Sequence, residues 1–316
     1  MLRNEKITLR SRLGFIGLGY LGSRIARRLV AAGFPMIVYD RDHAKAAELS
    51  ALGAKVAKDS EELASEVDVI LSCLLDDSAV EAVYLGTGGV LRSARPGTRI
   101  IELSTISPET SRELHRAARQ HDLFSLDVAI SGSTPSAEAG TLTLFAGGDP
   151  EIFESSEAIF ASIAKQWFYM GGSGAGVSMK LVVNTLLGVG MQAVAEALAL
   201  GLSLDLPRDL LFEALAKTAV VAPAHIGKLA TAKEGDYTPQ FPVRLMHKDF
   251  GLVLAAAAHA GLSMPTTEAA AAINAAEATS ESEEDFSIVI RWMERLAQRN
   301  EVQPFRFGNS YLIEEA

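Results

Sequence analysis

Cysteine is almost absent from this chain: Cys73 stands alone in 316 residues. One thiol can neither close an internal disulfide nor build a thiolate zinc site, and it fits a reducing, cytoplasmic setting. Positive charge is also short, with 29 Lys plus Arg against 39 Asp plus Glu and a formal charge of −10. A duplex nucleic-acid binder needs a basic face to displace counterions, and the overall balance argues against that class, although Lys and Arg can still cluster where a small anion sits. The six histidines, His43, His115, His121, His225, His247 and His259, include no pair at metal-ligand spacing, and no metal is expected. No Gly-x-Ser-x-Gly elbow appears, which removes the commonest hydrolase reading. Nothing near the N-terminus reads as a secretion signal, because the apolar stretch after Arg12 is broken by glycines and ends at Arg24. The most membrane-like segment, Leu181 to Leu206, contains Asn184, Gln192 and Glu196, which lipid would accept only at high cost. It reads instead as a long helix buried between domains or subunits of a soluble protein.

What the chain does have is apolar bulk and glycine in a regular arrangement. Hydrophobic residues make up 48% and charged residues 22%, enough for about two domains at roughly 150 residues each. In the first half, short apolar runs alternate with helical patterns. Leu13–Ile16 leads through glycines to a helix over Ser23–Ala32. Met36–Tyr39 precedes a helical Ala44–Leu52, and further strands are expected at Val67–Leu71 and Arg99–Leu103. This alternation implies parallel βαβ units with helices on both faces. Asp122–Ile130 and Leu142–Phe145 should extend the sheet. Beyond Gly171-Gly172-Ser173-Gly174 the sequence turns Ala/Leu-rich, notably at Leu198–Leu202, Leu210–Lys217 and Phe250–Ala260. The expectation is an α/β chain: a doubly wound Rossmann-type domain over 1–171, then an all-helical domain over 172–316, joined by a long helix. The acidic stretches Glu61-Glu62 and Glu281–Asp285 read as solvated helix ends, and Phe305, Phe307 and Tyr311 suggest that the tail docks on something.

Gly17-Leu18-Gly19-Tyr20-Leu21-Gly22 follows the first strand and opens the first helix. Gly17 permits the tight turn, Gly19 lets backbone approach a pyrophosphate, and Gly22 allows close helix–strand packing. The helix N-terminus then offers N–H groups and a positive dipole end to phosphate. Asp40 ends the next strand, where the adenosine ribose of a dinucleotide should sit. Its carboxylate would accept ribose hydroxyls and repel a 2′-phosphate, whereas Arg41 would pair with that phosphate, partly offset by Asp42. NAD is the expected cofactor, with NADP as the alternative.

Three later segments carry chemistry unsuited to plain core. Ser131-Gly132-Ser133 and Thr105 lie at the C-terminal ends of strands, the edge at which parallel sheets present ligands. Lys180 and Asn184 are four residues apart, hence on one face of a helix. An ammonium there can protonate a developing alkoxide while the amide holds a hydroxyl or carboxylate.

Together these segments resemble the β-hydroxyacid dehydrogenase family, which includes 3-hydroxyisobutyrate dehydrogenases and the tartronate and succinic semialdehyde reductases. The resemblance rests on the glycine motif, Leu103-Ser104-Thr105, Asp127 through Ser131-Gly132-Ser133 with Ala139-Gly140-Thr141-Leu142, Gly174-Ala-Gly176 through Lys180 and Asn184, and His247-Lys248-Asp249. It implies hydride transfer between a nicotinamide and a small carboxylated substrate, with Lys180 as general acid/base and Asn184 binding substrate. Ser131, Gly132 and Ser133 would hold the substrate carboxylate. Leu74, Leu75 and Thr105 would flank the cofactor, Lys248 would close over it, and Asp249 would be a structural partner. Where the family usually has Ser-Gly-Gly, this chain has Ser133 in the third position, which alters the carboxylate pocket. Imine reductases share the architecture but generally lack the family lysine. A non-catalytic dinucleotide-binding scaffold is a third reading. The apolar surface of Leu181–Leu206 points to a homodimer or homotetramer.

Overall fold

The structure is a computed structural model that describes residues 6–280 and 282–298. The tail 300–316 and Glu281 lie outside the described residues. The chain divides into two compact units, Met1–Val183 and Asn184–Ala316, and the division falls inside one continuous helix, Ala175–Ser203.

The first unit is built on eight strands: β1 (Leu13–Ile16), β2 (Met36–Tyr39), β3 (Lys55–Val56), β4 (Val69–Ser72), β5 (Arg99–Glu102), β6 (Phe124–Ser131), β7 (Leu142–Gly148) and β8 (Ala164–Gly171). Their order across the sheet is β3-β2-β1-β4-β5-β6-β7-β8. From β3 to β6 every pairing is parallel. The chain winds outward from β1 in both directions, which places the switch in strand order between β1 and β4, where open α/β sheets bind ligands at the strands' C-terminal ends. The sequence is apolar on both faces because both are covered. Val69 and Leu71 belong to the core on one side of the sheet and Ile70 to that on the other, as Ile101 and Ile100 do in β5.

The expected extension of the sheet by β6 and β7 is present, but this pair is antiparallel. Only ten residues separate Ser131 from Leu142, too few for the full crossover a parallel neighbour needs. Two strands had no clear sequence signal. β3 has only two residues. β8 is an edge strand whose Phe168, Tyr169 and Met170 are exposed, so it lacks the buried apolar run of its neighbours.

The helix Ala175–Ser203 is long and apolar enough to cross a membrane by length and composition alone. It carries Lys180, Asn184, Gln192 and Glu196, and Asn184 is wholly buried. The second unit is helical, with a core of Met191, Leu198, Phe212, Phe250, Ile273 and Ile290 among others. Asp285, expected to be solvated, is instead 2% exposed. It accepts hydrogen bonds from Lys228 Nζ at 2.6 Å, from the backbone N–H of Gln240, Phe241 and Ser287, and from the Ser287 hydroxyl. Five donors offset the cost of burying that carboxylate, a convergence that a run of acidic residues does not reveal.

Candidate active site

The loop after β1 has the stereochemistry that its glycines imply. Gly17 adopts φ +92°, and a Cβ there would lie 2.3 Å from the Cys73 carbonyl oxygen. A Cβ on Gly22 would lie 2.1 Å from the Gly17 carbonyl oxygen. Around Gly19 there is open space. The helix Gly22–Ala31 has no side-chain cap and no acid in its first turn. Helices beginning after Asp59, Asp76 and Ser107 are capped by those side chains. A bare backbone turn beside an uncapped helix N-terminus fits a dinucleotide pyrophosphate.

Asp40 is placed differently from a carboxylate simply facing solvent. It is 9% exposed, with Oδ2 accepting from the Leu18 N–H at 2.7 Å and Oδ1 from the Asp42 N–H at 2.9 Å. Lys45 Nζ lies 3.8 Å from Oδ1. The carboxylate therefore braces the glycine loop from behind, and its remaining lone pairs are what it can offer a ribose. Arg41 is exposed, Tyr20 is 45% exposed and Leu18 is buried.

Leu74 and Thr105 follow β4 and β5, and the Leu74 N–H donates to Ser104 Oγ at 2.7 Å. Leu75 is 46% exposed. Ser131 ends β6, and Gly132 takes φ +134° with a Cβ position 2.8 Å from Leu142 Cδ2. Ser133 precedes the short helix Thr134–Ala139 without capping it, so its hydroxyl is not spent there.

Two buried carboxyls stand side by side behind these loops, Glu102 on β5 and Asp127 on β6, which are register partners. Asp127 accepts from the N–H of Gly174 at 2.8 Å and of Val177 at 2.9 Å, capping the start of the helix that carries Lys180. Burial raises its pKa, against the two backbone N–H groups that lower it. Glu102 is pushed up to about 7, burial being the main cause and the Ser104 and Ser72 donors opposing it. Neither carboxyl was singled out from sequence as a site residue. The available signal was an acid set among apolar neighbours in each of two strands, Ile100-Ile101-Glu102-Leu103 and Leu126-Asp127-Val128.

Lys180 is half-buried, one turn before Asn184 on the same helix. Asn184 Nδ2 donates to Asp249 Oδ2 at 2.6 Å, which fixes the amide's orientation. Its Oδ1 is buried with no hydrogen-bond partner in the structure. The amide oxygen can therefore accept from a hydroxyl, while Nδ2 has a second N–H beyond the one given to Asp249. Lys248, on the helix Val243–His259, pairs with Asp249 Oδ1 at 3.0 Å. No group of three or more His, Cys, Asp or Glu able to hold a metal occurs among the described residues.

Comparison with known proteins adds the family. Residues 12–171 match the model of the NAD-binding domain of 6-phosphogluconate dehydrogenase. Residues 174–293 match that of the NAD-binding domain of NADP-dependent 3-hydroxyisobutyrate dehydrogenase. A 2-(hydroxymethyl)glutarate dehydrogenase of Eubacterium barkeri is 33% identical over 90% of this chain and 95% of its own. An NAD-dependent L-serine dehydrogenase of Pseudomonas aeruginosa is 36% identical over 80% and 87%. The solved 3-hydroxyisobutyrate dehydrogenase of Mycobacterium tuberculosis, with L-serine, has 30% identity and a TM-score of 0.82, covering 90% of this chain and 99% of its own. An imine reductase from Pseudomonas sp., at 20% identity and a TM-score of 0.60, shares the fold alone. Matched along nearly its whole length, with an NAD(P)-binding sheet and a helical second unit, the chain belongs to the β-hydroxyacid dehydrogenase family.

Proposed function

We propose that the protein reversibly oxidises a small β-hydroxyacid, or reduces the matching carboxylated aldehyde or ketone, with Lys180 as general acid/base. The observation that carries this reading is the pairing on one helix face of Lys180 with Asn184, whose amide is oriented by Asp249 to leave its oxygen as an acceptor. The bound nicotinamide supplies or takes up the hydride. In reduction the Lys180 ammonium donates its proton to the carbonyl oxygen; in oxidation the neutral amine accepts it from the hydroxyl. The Asn184 oxygen accepts from a substrate hydroxyl. Ser131 and the backbone N–H groups of Gly132 and Ser133 hold the carboxylate, orienting the reacting carbon. The extra hydroxyl of Ser133 offers one more donor there and favours a substrate with a further polar group.

The decisive assay follows reduced-nicotinamide absorbance with NADH and NADPH in parallel, against glyoxylate, succinic semialdehyde, tartronate semialdehyde and a cyclic imine. Turnover of a carboxylated aldehyde is expected, and turnover of the imine alone would overturn the reading. Lys180→Ala should lower kcat by about 10²–10⁴-fold while cofactor binding survives. Preference for NADPH would mean that exposed Arg41 outweighs Asp40, whose carboxylate is already committed to the glycine loop. We infer also that the chain self-associates, since Leu186, Leu200 and Leu204 are each more than 60% exposed. A monomer in sedimentation at micromolar concentration would refute this.

A further inference from the structure

Behind the loops that follow β4 and β5 runs a hydrogen-bonded chain that the reaction itself does not use. Tyr84 OH and Ser72 Oγ are 2.7 Å apart, and Ser72 Oγ lies 3.1 Å from Glu102 Oε1. Ser104 Oγ forms a very short contact with the same Oε1, while the Ser104 N–H donates to Oε2 at 2.9 Å. At the far end the Leu74 N–H donates to Ser104 Oγ. Glu102, Ser72, Ser104 and Tyr84 are all at most 2% exposed.

The direction of the chain can be deduced. A backbone N–H only donates, so Ser104 Oγ accepts from Leu74 and turns its own proton to Glu102. Burial, with the charge of Glu102 as a second cause, pushes the Tyr84 phenol up, so it stays protonated and donates to Ser72, which donates in turn to Glu102. Every proton points at the carboxylate. If Glu102 gains a proton, that proton finds only donors around it, so the new O–H is unpaired unless a serine turns away, and the remaining bonds lose their charge assistance.

We propose that ionised Glu102 is a positioning residue for the cofactor: through the Ser104 hydroxyl it holds the Leu74 backbone, and through the Ser104 N–H it holds the start of the Thr105 loop. The inference rests on the proposed function and on the family resemblance, which implies that Leu74 and Thr105 flank the cofactor. Tyr84, from the helix Asp77–Tyr84, and Asp127, from β6, are titratable groups that act on Glu102, and the negative charge of Asp127 adds to the rise in its pKa. Because that pKa is near 7, the brace is complete above neutrality and is lost as pH falls through it.

The test measures binding rather than turnover, by fluorescence titration of NADH and NADPH between pH 6 and 8.5. Wild-type Kd should rise as pH falls. Glu102→Gln should bind about tenfold more weakly at pH 8 and lose that pH dependence. Ser104→Ala, which cuts the arm leading to Leu74, should weaken binding similarly. Ser72→Ala, which cuts the arm leading away to Tyr84, should lose thermal stability yet keep the wild-type Kd at pH 8 within about twofold. Equal weakening in both serine variants, or a pH dependence retained in Glu102→Gln, overturns the proposal and leaves the network a stability element. A wild-type protein that binds neither dinucleotide overturns the proposed function, and this inference with it.

Discussion

Removing the Asp127 carboxylate should unseat the helix that carries Lys180. Its two oxygens accept from the N–H groups of Gly174 and Val177 at 2.8 and 2.9 Å. The helix start cannot shift to recruit water, because a Cβ at Gly176 would lie 2.4 Å from the Phe145 carbonyl oxygen and 2.6 Å from that of Asp127. Asp127→Ala would thus leave two buried donors unpaired. Hydrogen bonds to a charged group contribute about 1.5–3 kcal/mol each, and relief of the buried carboxylate returns part of their sum. The expected net loss is about 3 kcal/mol. Asp127→Asn keeps one acceptor and should lose about half as much. The chain has two tryptophans, Trp167 in β8 and Trp292 in the helical unit. A Trp292→Phe background lets Trp167 report urea unfolding of the first unit alone, which matters because two units need not unfold in one transition. Lys180 follows Val177 by three residues, so kcat should fall at least tenfold alongside the lost stability. A loss below about 1 kcal/mol for Asp127→Ala would refute the argument, since it would mean the helix start is held by its packing and not by the carboxylate.

In the glycine loop, Gly22→Ala should weaken dinucleotide binding at least tenfold and cost about 1–3 kcal/mol, because the new methyl meets the Gly17 carbonyl. Retained wild-type affinity would show that the loop can move. In the helical unit, Lys228→Met should cost about 3–5 kcal/mol by stranding the buried Asp285 carboxylate, read from Trp292 fluorescence during urea unfolding in a Trp167→Phe background. Adding Asp285→Asn should recover part of that loss; a fully additive double variant would argue against direct coupling.

Local pattern carried much of this protein. The alternation of apolar runs with helical stretches was enough for a Rossmann-type sheet followed by helices, because a strand covered on both faces must be apolar at every position. The glycine motif was legible because stereochemistry at Gly17 and Gly22 admits no side chain. The four-residue spacing of Lys180 and Asn184 follows from helix geometry alone. Other features depended on distant parts of the chain. The antiparallel turn of β7 follows from a connection too short to cross over, and edge strand β8 has little apolar burial to mark it.

Charged side chains were the least legible, since their state depends on partners far away in sequence. Asp285 looked like one more solvated acid until Lys228, 57 residues earlier, and three backbone N–H groups closed around it. Asp40 was expected to face a ribose, and it also braces Leu18, 22 residues before it. Glu102 and Asp127 became neighbours only when β5 and β6 paired. Sequence by itself determined the backbone geometry, the periodicity and the residue types available for chemistry. Tertiary structure alone decided which of those residues share a proton, cap a helix or hold a loop. Burial and hydrogen bonding set the behaviour of an ionisable group, and both are made by contacts between segments that no local pattern connects.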